Sequence, residues 1–305
     1  MKKNLKTNLI WLAIIAVVYA ILSALIVAGI INAFVAQIIT QIGINLIVAV
    51  GLNLVIGFTG QFSFGSAGFM AIGAYTSAIV TARMAPTWGT IFLSMLIGAI
   101  IAGIVAVIVG YPTLRLKGDY LAIATLGVSE IIRILIMNGG DLTNGAAGLS
   151  GIILFTDWGM TFIFAVVIII LILNFINSPS GRATLSVRED EIASESMGVN
   201  VTRVKVIAFT LGAMVTAIAG SLYAGFIGTV TPKDFTWMKS VDALIIVVLG
   251  GLGSITGTVI AAIILGLLNM FLQDFGAIRM IIYSLVLILV MIFRPGGLLG
   301  TWEFN

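Results

Sequence analysis

Long apolar runs follow one another from end to end, and no other feature constrains this chain's fold as strongly. They cover Leu9 to Ala28, Ala33 to Ile56, Phe64 to Thr81, Ile91 to Val109, Tyr120 to Met137, Thr161 to Ile176, Val204 to Ile227, Val241 to Leu249, Ile255 to Leu272 and Met280 to Phe293. A bilayer core of about 30 Å is crossed by about 20 helical residues. Unpaired backbone groups in hydrocarbon cost several kcal/mol each, so each run must be helical. The expected fold is all-α: a polytopic integral membrane protein of about ten transmembrane segments, some of them glycine-broken. No long polar stretch divides the chain, so residues 1–305 read as one domain.

Composition supports a lipid solvent. Hydrophobic residues make up 60% and charged residues 9%, against about 25% charged in soluble domains. The net charge of +3 is scattered and forms no basic stripe for a nucleic-acid backbone. Cys and His are both absent, which removes disulfides, thiolate and imidazole metal sites, and Ser-His or Cys-His nucleophiles. Neither a hydrolytic enzyme nor a metal site is expected. Lys2, Lys3 and Lys6 ahead of the first run could open a secretory signal. That run is longer than the usual h-region of roughly 7 to 15 residues, and more membrane segment follows it.

Cations near short loops are retained on the cytoplasmic side. With the N-terminus inside, Arg115, Lys117, Arg182, Arg188, Arg203 and Lys205 fall in cytoplasmic loops, and Arg83, Lys233 and Lys239 fall outside. Beyond Ile227 both nine and ten crossings fit, because Val241 to Leu272 is too long for one span and short for two.

Small residues let helix backbones approach closely in lipid, where no hydrophobic drive acts between helices. Gly98, Ala102, Ala106 and Gly110 form one such row. Gly212, Thr216, Gly220, Ala224 and Gly228 form a second beside Ala213, Ala217, Ser221 and Gly225, and Gly253, Gly257 and Ala261 form a third. Internal helix contacts are the expected role, with a partner-facing surface as the alternative.

Two segments run from an apolar helix into a glycine-rich break and then into a second small-residue helix: Gly51 to Gly68 and Leu249 to Gly257. Interrupted helices often line a transporter's substrate path, with tight packing as the plainer reading. Candidate path residues are Asn53, Gln61, Ser63, Gly250, Gly251, Gly253 and Ser254, together with Glu130 and Arg133, which lie three apart within one helix. Intramembrane charges are functional candidates, although this pair can also satisfy itself. Gln37, Gln41 and Asn45 recur every four residues and suit either interhelical hydrogen bonds or a polar lining.

The cytoplasmic loop 178–204 is long for this chain. It reads as a short helix closed by Gly198, with Leu185, Ile192, Ala193 and Met197 broadly on one side and charges elsewhere. This loop resembles the ATPase-docking segment of ATP-binding-cassette importer permeases, whose signature is Glu-Ala-Ala-x3-Gly. Here Glu191 lies one residue early relative to Ala193 and Gly198, with Ile192 in the strict motif's Glu position. The closer similarity is to LivM-type permeases of branched-chain amino-acid uptake systems. It is carried by Gly181-Arg-Ala, Arg188-Glu-Asp-Glu-Ile-Ala, Gly198-Val-Asn, Arg115 to Gly127, Gly220-Ser-Leu-Tyr-Ala and Val248 to Ser254. The loop Leu142 to Gly148 departs from it, lacking a second Gly after Thr143.

The resemblance implies a multi-pass permease subunit in a bacterial or archaeal plasma membrane, with no cofactor of its own. Its implied partners are a second related permease, two cytoplasmic ATPases that use the ATP, and an extracytoplasmic substrate-binding protein. Arg188, Glu189, Asp190, Glu191, Ile192, Ala193 and Gly198 would form the ATPase-coupling segment. Branched-chain amino acids are the implied cargo. The alternatives are a related permease for urea or another small solute, and an ion-coupled secondary transporter.

Overall fold

The computed structural model describes residues 2–29, 31–84, 87–116 and 118–272, with side chains from 15 onward, and scattered positions from 275 to 300. Its helices are α1 (Lys2–Val27), α2 (Ala33–Thr59), α3 (Ser66–Arg83), α4 (Trp88–Thr113), α5 (Asp119–Met137), α6 (Trp158–Asn177), α7 (Pro179–Glu189), α8 (Glu191–Ser196), α9 (Val201–Ile227), α10 (Trp237–Gly250) and α11 (Ile255–Leu272). A short antiparallel pairing of β1 (Leu149–Ser150) with β2 (Thr229–Val230) ties the α5–α6 connection to the end of α9.

Among the described residues, six helices are long and apolar enough to cross a membrane: α2, α4, α5, α6, α9 and α11. The chain is therefore a polytopic all-α membrane protein, but the expected count of about ten segments is not reached by this measure. The reasons differ. In α1, the described side chains begin at Ile15 and form a shorter apolar stretch to Val27. Small and hydroxyl residues dilute α3, because much of it packs on protein instead of lipid. At 14 residues, α10 is only about 21 Å long. The run Met280 to Phe293 and the neighbouring Arg279 and Arg294 lie largely or wholly outside the described residues.

The core is built around α2 and α9, and the small-residue rows explain how. A Cβ on Gly212 would come within 2.7 Å of the Gly51 carbonyl, and one on Gly220 within 2.0 Å of the Met70 carbonyl. In the same way, a Cβ on Gly73 would fall 1.8 Å from the Ala217 carbonyl. These are backbone-to-backbone crossings of α9 with α2 and α3, which dispersion can stabilise only if no side chain intervenes. The row on α4 is buried and lies against α3 and α9, where a Cβ on Gly98 would stand 3.2 Å from the Gly73 Cα and one on Gly110 would meet Phe209. The third row closes the α10–α11 hairpin, because a Cβ on Gly257 would lie 2.1 Å from the Gly250 carbonyl. All three rows thus serve internal packing.

Neither glycine segment is a kink within a spanning helix. Gly51 and Gly57 lie inside continuous α2, which ends at Gly60 in a left-handed cap, φ +71. Both segments are hairpin turns, and both point toward the face that carries α7 and α8. Phe235, just before the half-length α10, is buried and packs edge-on against Tyr75 and Tyr223. The Leu298 N–H donates to the Leu249 carbonyl at 2.7 Å, which returns the described tail positions to the same α7–α8 face.

Candidate functional site

Loop 178–204 folds as two helices, correcting the expectation of one. Ser178 caps α7 by accepting from the Gly181 N–H, and Pro179 takes the first turn, where its missing N–H costs nothing. Asp190 then leaves helical conformation. Its Oδ1 accepts from the N–H groups of Ile192 (2.9 Å) and Ala193 (3.0 Å), so it starts α8 as an N-cap. Gly198 follows at φ +85, and Asn200 caps α9 by accepting from the Arg203 N–H.

The split changes which side chains share a side. Leu185, Thr184 and Val187 face the membrane body, with Thr184 and Val187 buried and Leu185 packed against the core. Ile192 is 76% exposed and Met197 85% exposed. Glu189, Asp190, Ala193 and Gly198 are exposed around them. The apolar side expected of a single helix is therefore divided between an inward anchor and an outward patch.

Arg188 points inward. Its Nη1 donates to the Gly57 carbonyl at 2.7 Å, near the C-terminal end of α2, where the helix dipole favours a cation. The same guanidinium passes over Gly253, where a Cβ would come within 2.4 Å of Nη1. Asn53 completes the junction. It donates from Nδ2 to the Ser254 carbonyl (2.9 Å) and Thr258 Oγ1 (2.8 Å), and its Oδ1 accepts from the Gly253 N–H (2.9 Å). One arginine and one asparagine thus clasp α7, the end of α2 and the α10–α11 turn. Gly250, Gly251 and Gly253 provide the close approach, the last two at φ +116 and +85.

The α2–α3 turn is held from two other helices. Ser240 Oγ donates to the Phe64 carbonyl (2.8 Å) and accepts from the Ala67 N–H (2.9 Å). Thr125 Oγ1 of α5 accepts from the Phe64 N–H at 3.0 Å, and Ser63 Oγ accepts locally from Gly65. Beside this turn, under α7 and α8, lies a cavity of about 260 Å³. Gln61, Arg188, Glu191 and Lys205 are its polar wall, and Glu191 pairs with Lys205 from the first turns of α9.

Of the residues marked in the sequence as a path, Gln61 lines this cavity, while Asn53, Gly253 and Ser254 belong to the clasp. Glu130 and Arg133 stand elsewhere. They pair with each other on α5 at 2.7 Å, each about a quarter exposed. Gln41 donates to Asn45 along α2 itself at 3.1 Å, and Gln37 is exposed. Sequence reasoning did not single out Thr125, Ser240 or Thr258 as partners, since a lone hydroxyl in an apolar run carries no signal of what it faces. Lys205 was read only as a topology charge.

Residues 34–294 match the family described as branched-chain amino acid transport system / permease component. The chain is 36% identical over 278 residues to the high-affinity branched-chain amino acid transport system permease protein LivM of Salmonella typhimurium, and 37% identical over 278 residues to that of Escherichia coli. Both matches cover 80% of this chain and 64% of the relative, so the chain spans less than two thirds of the length of these relatives. LivH of Salmonella typhimurium is 29% identical over 81% of this chain and 88% of its own. No solved structure matches the chain. On the matched residues, this chain belongs to the family of branched-chain amino acid transport system permease components.

Proposed function

We propose that the chain is a permease subunit of an ATP-driven importer that carries branched-chain amino acids, leucine, isoleucine or valine, across a bacterial or archaeal plasma membrane. A second related permease, two cytoplasmic ATPases and an extracytoplasmic binding protein would complete the transporter. The N-terminus would be cytoplasmic. About ten segments would be embedded, with α1, α3, half-length α10 and the run 280–293 joining the six long apolar helices.

The observation that carries this reading is the construction of α7–α8. Its inner side is fastened to the membrane body through Arg188 and Gly57. Its outer side offers Ile192 and Met197 to a partner. A solvated connector needs neither an inward arginine clasp nor exposed apolar side chains. In the proposed cycle, ATP binding closes the ATPases and draws α7–α8 with them. Arg188 passes that displacement to the α2–α3 and α10–α11 turns, and the subunit alternates its access. No bond in the substrate is made or broken here.

The ion-coupled alternative asks for a carboxylate free to relay a cation. Glu130 is instead neutralised by Arg133. The deciding experiment is leucine uptake into vesicles holding the assembled complex and binding protein, with ATP supplied and ion gradients collapsed. Uptake that persists supports the proposal, and uptake that needs the gradient and ignores ATP overturns it.

A further inference from the structure

Of the 19 residues of α5, the buried ones are Leu121, Thr125, Ser129 and Ile132. Their spacing of three and four places them on one narrow stripe, which meets α3 where Gly68 lies against Ser129. The opposite side of α5, with Tyr120, Ile123, Ile131 and Ile134, is exposed. An exposed side of a spanning helix ordinarily meets lipid, and that of α4 is built for it. Phe92, Leu96, Ile100, Ile104 and Ile108 make it an unbroken run of large apolar side chains.

Two features set the open side of α5 apart. Gly127 stands in its middle, between Ile123 and Ile131, and nothing lies within 4 Å of its Cβ position. Every other described glycine within a spanning helix has another residue inside that distance. In lipid, a glycine on a helix face serves the close approach of a second helix, and here no second helix is present. The other feature is the Glu130–Arg133 pair, which runs along the edge of the same side with each partner about a quarter exposed. Glu130 is the twelfth of the 19 residues, about 17 Å along the helix at 1.5 Å per residue, so the pair lies at membrane depth. Charges at that depth almost always face protein or a water-filled space, and lipid tails offer neither.

We infer that the open side of α5 is the seam on which a second permease subunit of the same fold sits. The inference rests on the transporter proposed above and names the surface that one of its partners covers. Gly127 admits the backbone of a partner helix between Ile123 and Ile131, as Gly212 and Gly220 admit α2 and α3 within the chain. Glu130 and Arg133 offer both signs of charge beside that contact, so a polar partner helix is complemented there. A two-fold axis along the membrane normal brings the equivalent helix of a related subunit to the same depth. The uninterrupted side of α4 is left to lipid.

The test places a photoreactive benzoylphenylalanine at position 131 of α5 or position 104 of α4, both exposed in the chain alone. The assembled complex is irradiated in native membranes, and adducts are identified by mass spectrometry. Position 131 should join this chain to the second permease, and position 104 should join it to no subunit. Gly127→Leu should lower co-purification of the second permease at least tenfold. The melting temperature of the isolated variant in detergent should match that of the unmodified chain, because the position is open. Should it fall instead, the adduct alone decides. No subunit adduct at position 131, an adduct there with another copy of this chain or with an ATPase, or equal adducts at 131 and 104 overturns the seam. So does full co-purification by Gly127→Leu. ATP-driven leucine uptake by the unmodified complex separates the two readings. Uptake without the adduct at 131 overturns the seam alone. The adduct in a complex that imports no leucine supports the seam and overturns the transport reading.

Discussion

Gly220 of α9 faces the Met70 carbonyl of α3 so closely that a Cβ built on the glycine would stand 2.0 Å from that oxygen. Both atoms belong to rigid helical backbone, so neither can swing aside. Even Gly220→Ala must force the helices apart, at about 1–3 kcal/mol for a modest overpacking, and Gly220→Leu should prevent stable folding. Gly127 on α5 has nothing within 4 Å of its Cβ position and makes the control. Thermal unfolding in detergent should rank Gly127→Ala near the unmodified chain, Gly220→Ala clearly below it, and Gly220→Leu lowest.

Asn53 should behave as a structural bolt. It is fully buried and fills both its donor and its acceptor roles toward the α10–α11 turn. Asn53→Leu orphans the Gly253 N–H, a loss of about 1–3 kcal/mol. Thr258→Val removes one acceptor and should cost less. A melting temperature for Asn53→Leu equal to that of Thr258→Val would mean that the turn is held by something else.

Gly198 is required for its backbone and not for space. Its φ is +85 and no atom lies within 4 Å of its Cβ position. A β-branched residue resists the left-handed region by about 1–2 kcal/mol, whereas Asn visits it. Gly198→Asn should therefore retain co-purification with the ATPases, and Gly198→Val should lower it with the protein still in the membrane. Equal retention by the two variants would remove the conformational argument.

The bond between Leu298 and Leu249 puts position 298 on the α7–α8 face, and the proposed cytoplasmic N-terminus makes that face cytoplasmic. The chain has no cysteine, so single cysteines can be read without background. Ser186→Cys and Gly296→Cys should react with an impermeant maleimide only in inside-out vesicles, and Met84→Cys only on intact cells. Labelling of Gly296→Cys from outside would mean nine crossings.

Much of the packing was legible because it is periodic. Small residues four apart mark helix faces whatever those faces meet, and the rows on α4, α9 and α11 were internal as their spacing suggested. The junctions were hidden because they join distant positions. Arg188 and Gly57 are 131 residues apart, and Asn53 and Ser254 are 201 apart. The sequence placed Arg188 in the right loop but could not say that it faces inward. Asp190 had left a signal, since an aspartate ahead of Glu-Ile-Ala is a helix start. That cap divides the loop in two and separates Leu185 from Ile192. The cavity of Gln61 had no such trace, being formed by four segments that converge only in three dimensions.

The two sides of α7–α8 should fail in different ways when changed. The outer side carries the exposed Ile192 and Met197, the apolar surface that the proposed ATPase partner would cover. Ile192→Glu with Met197→Glu should therefore detach the ATPases, and co-purification should fall. The inner side carries Arg188, whose bond to the Gly57 carbonyl is charge-assisted and thus contributes about 1.5–3 kcal/mol. Arg188→Gln leaves the outer patch intact, so the ATPases should stay bound while leucine uptake falls roughly tenfold or more, since 1.4 kcal/mol is a factor of ten. Arg188→Lys keeps the charge but lacks the planar fork that reaches over Gly253, and it should rescue uptake only in part. Glu191→Lys would set two cations together beside Arg188 and should also uncouple, because its present partner Lys205 is on α9 and not on an ATPase. The measurements are ATPase co-purification and binding-protein-stimulated hydrolysis in proteoliposomes, taken on the same preparations. If Arg188→Gln lost its ATPases, or kept full uptake, the clasp would not be the element that carries motion from the loop to the turns.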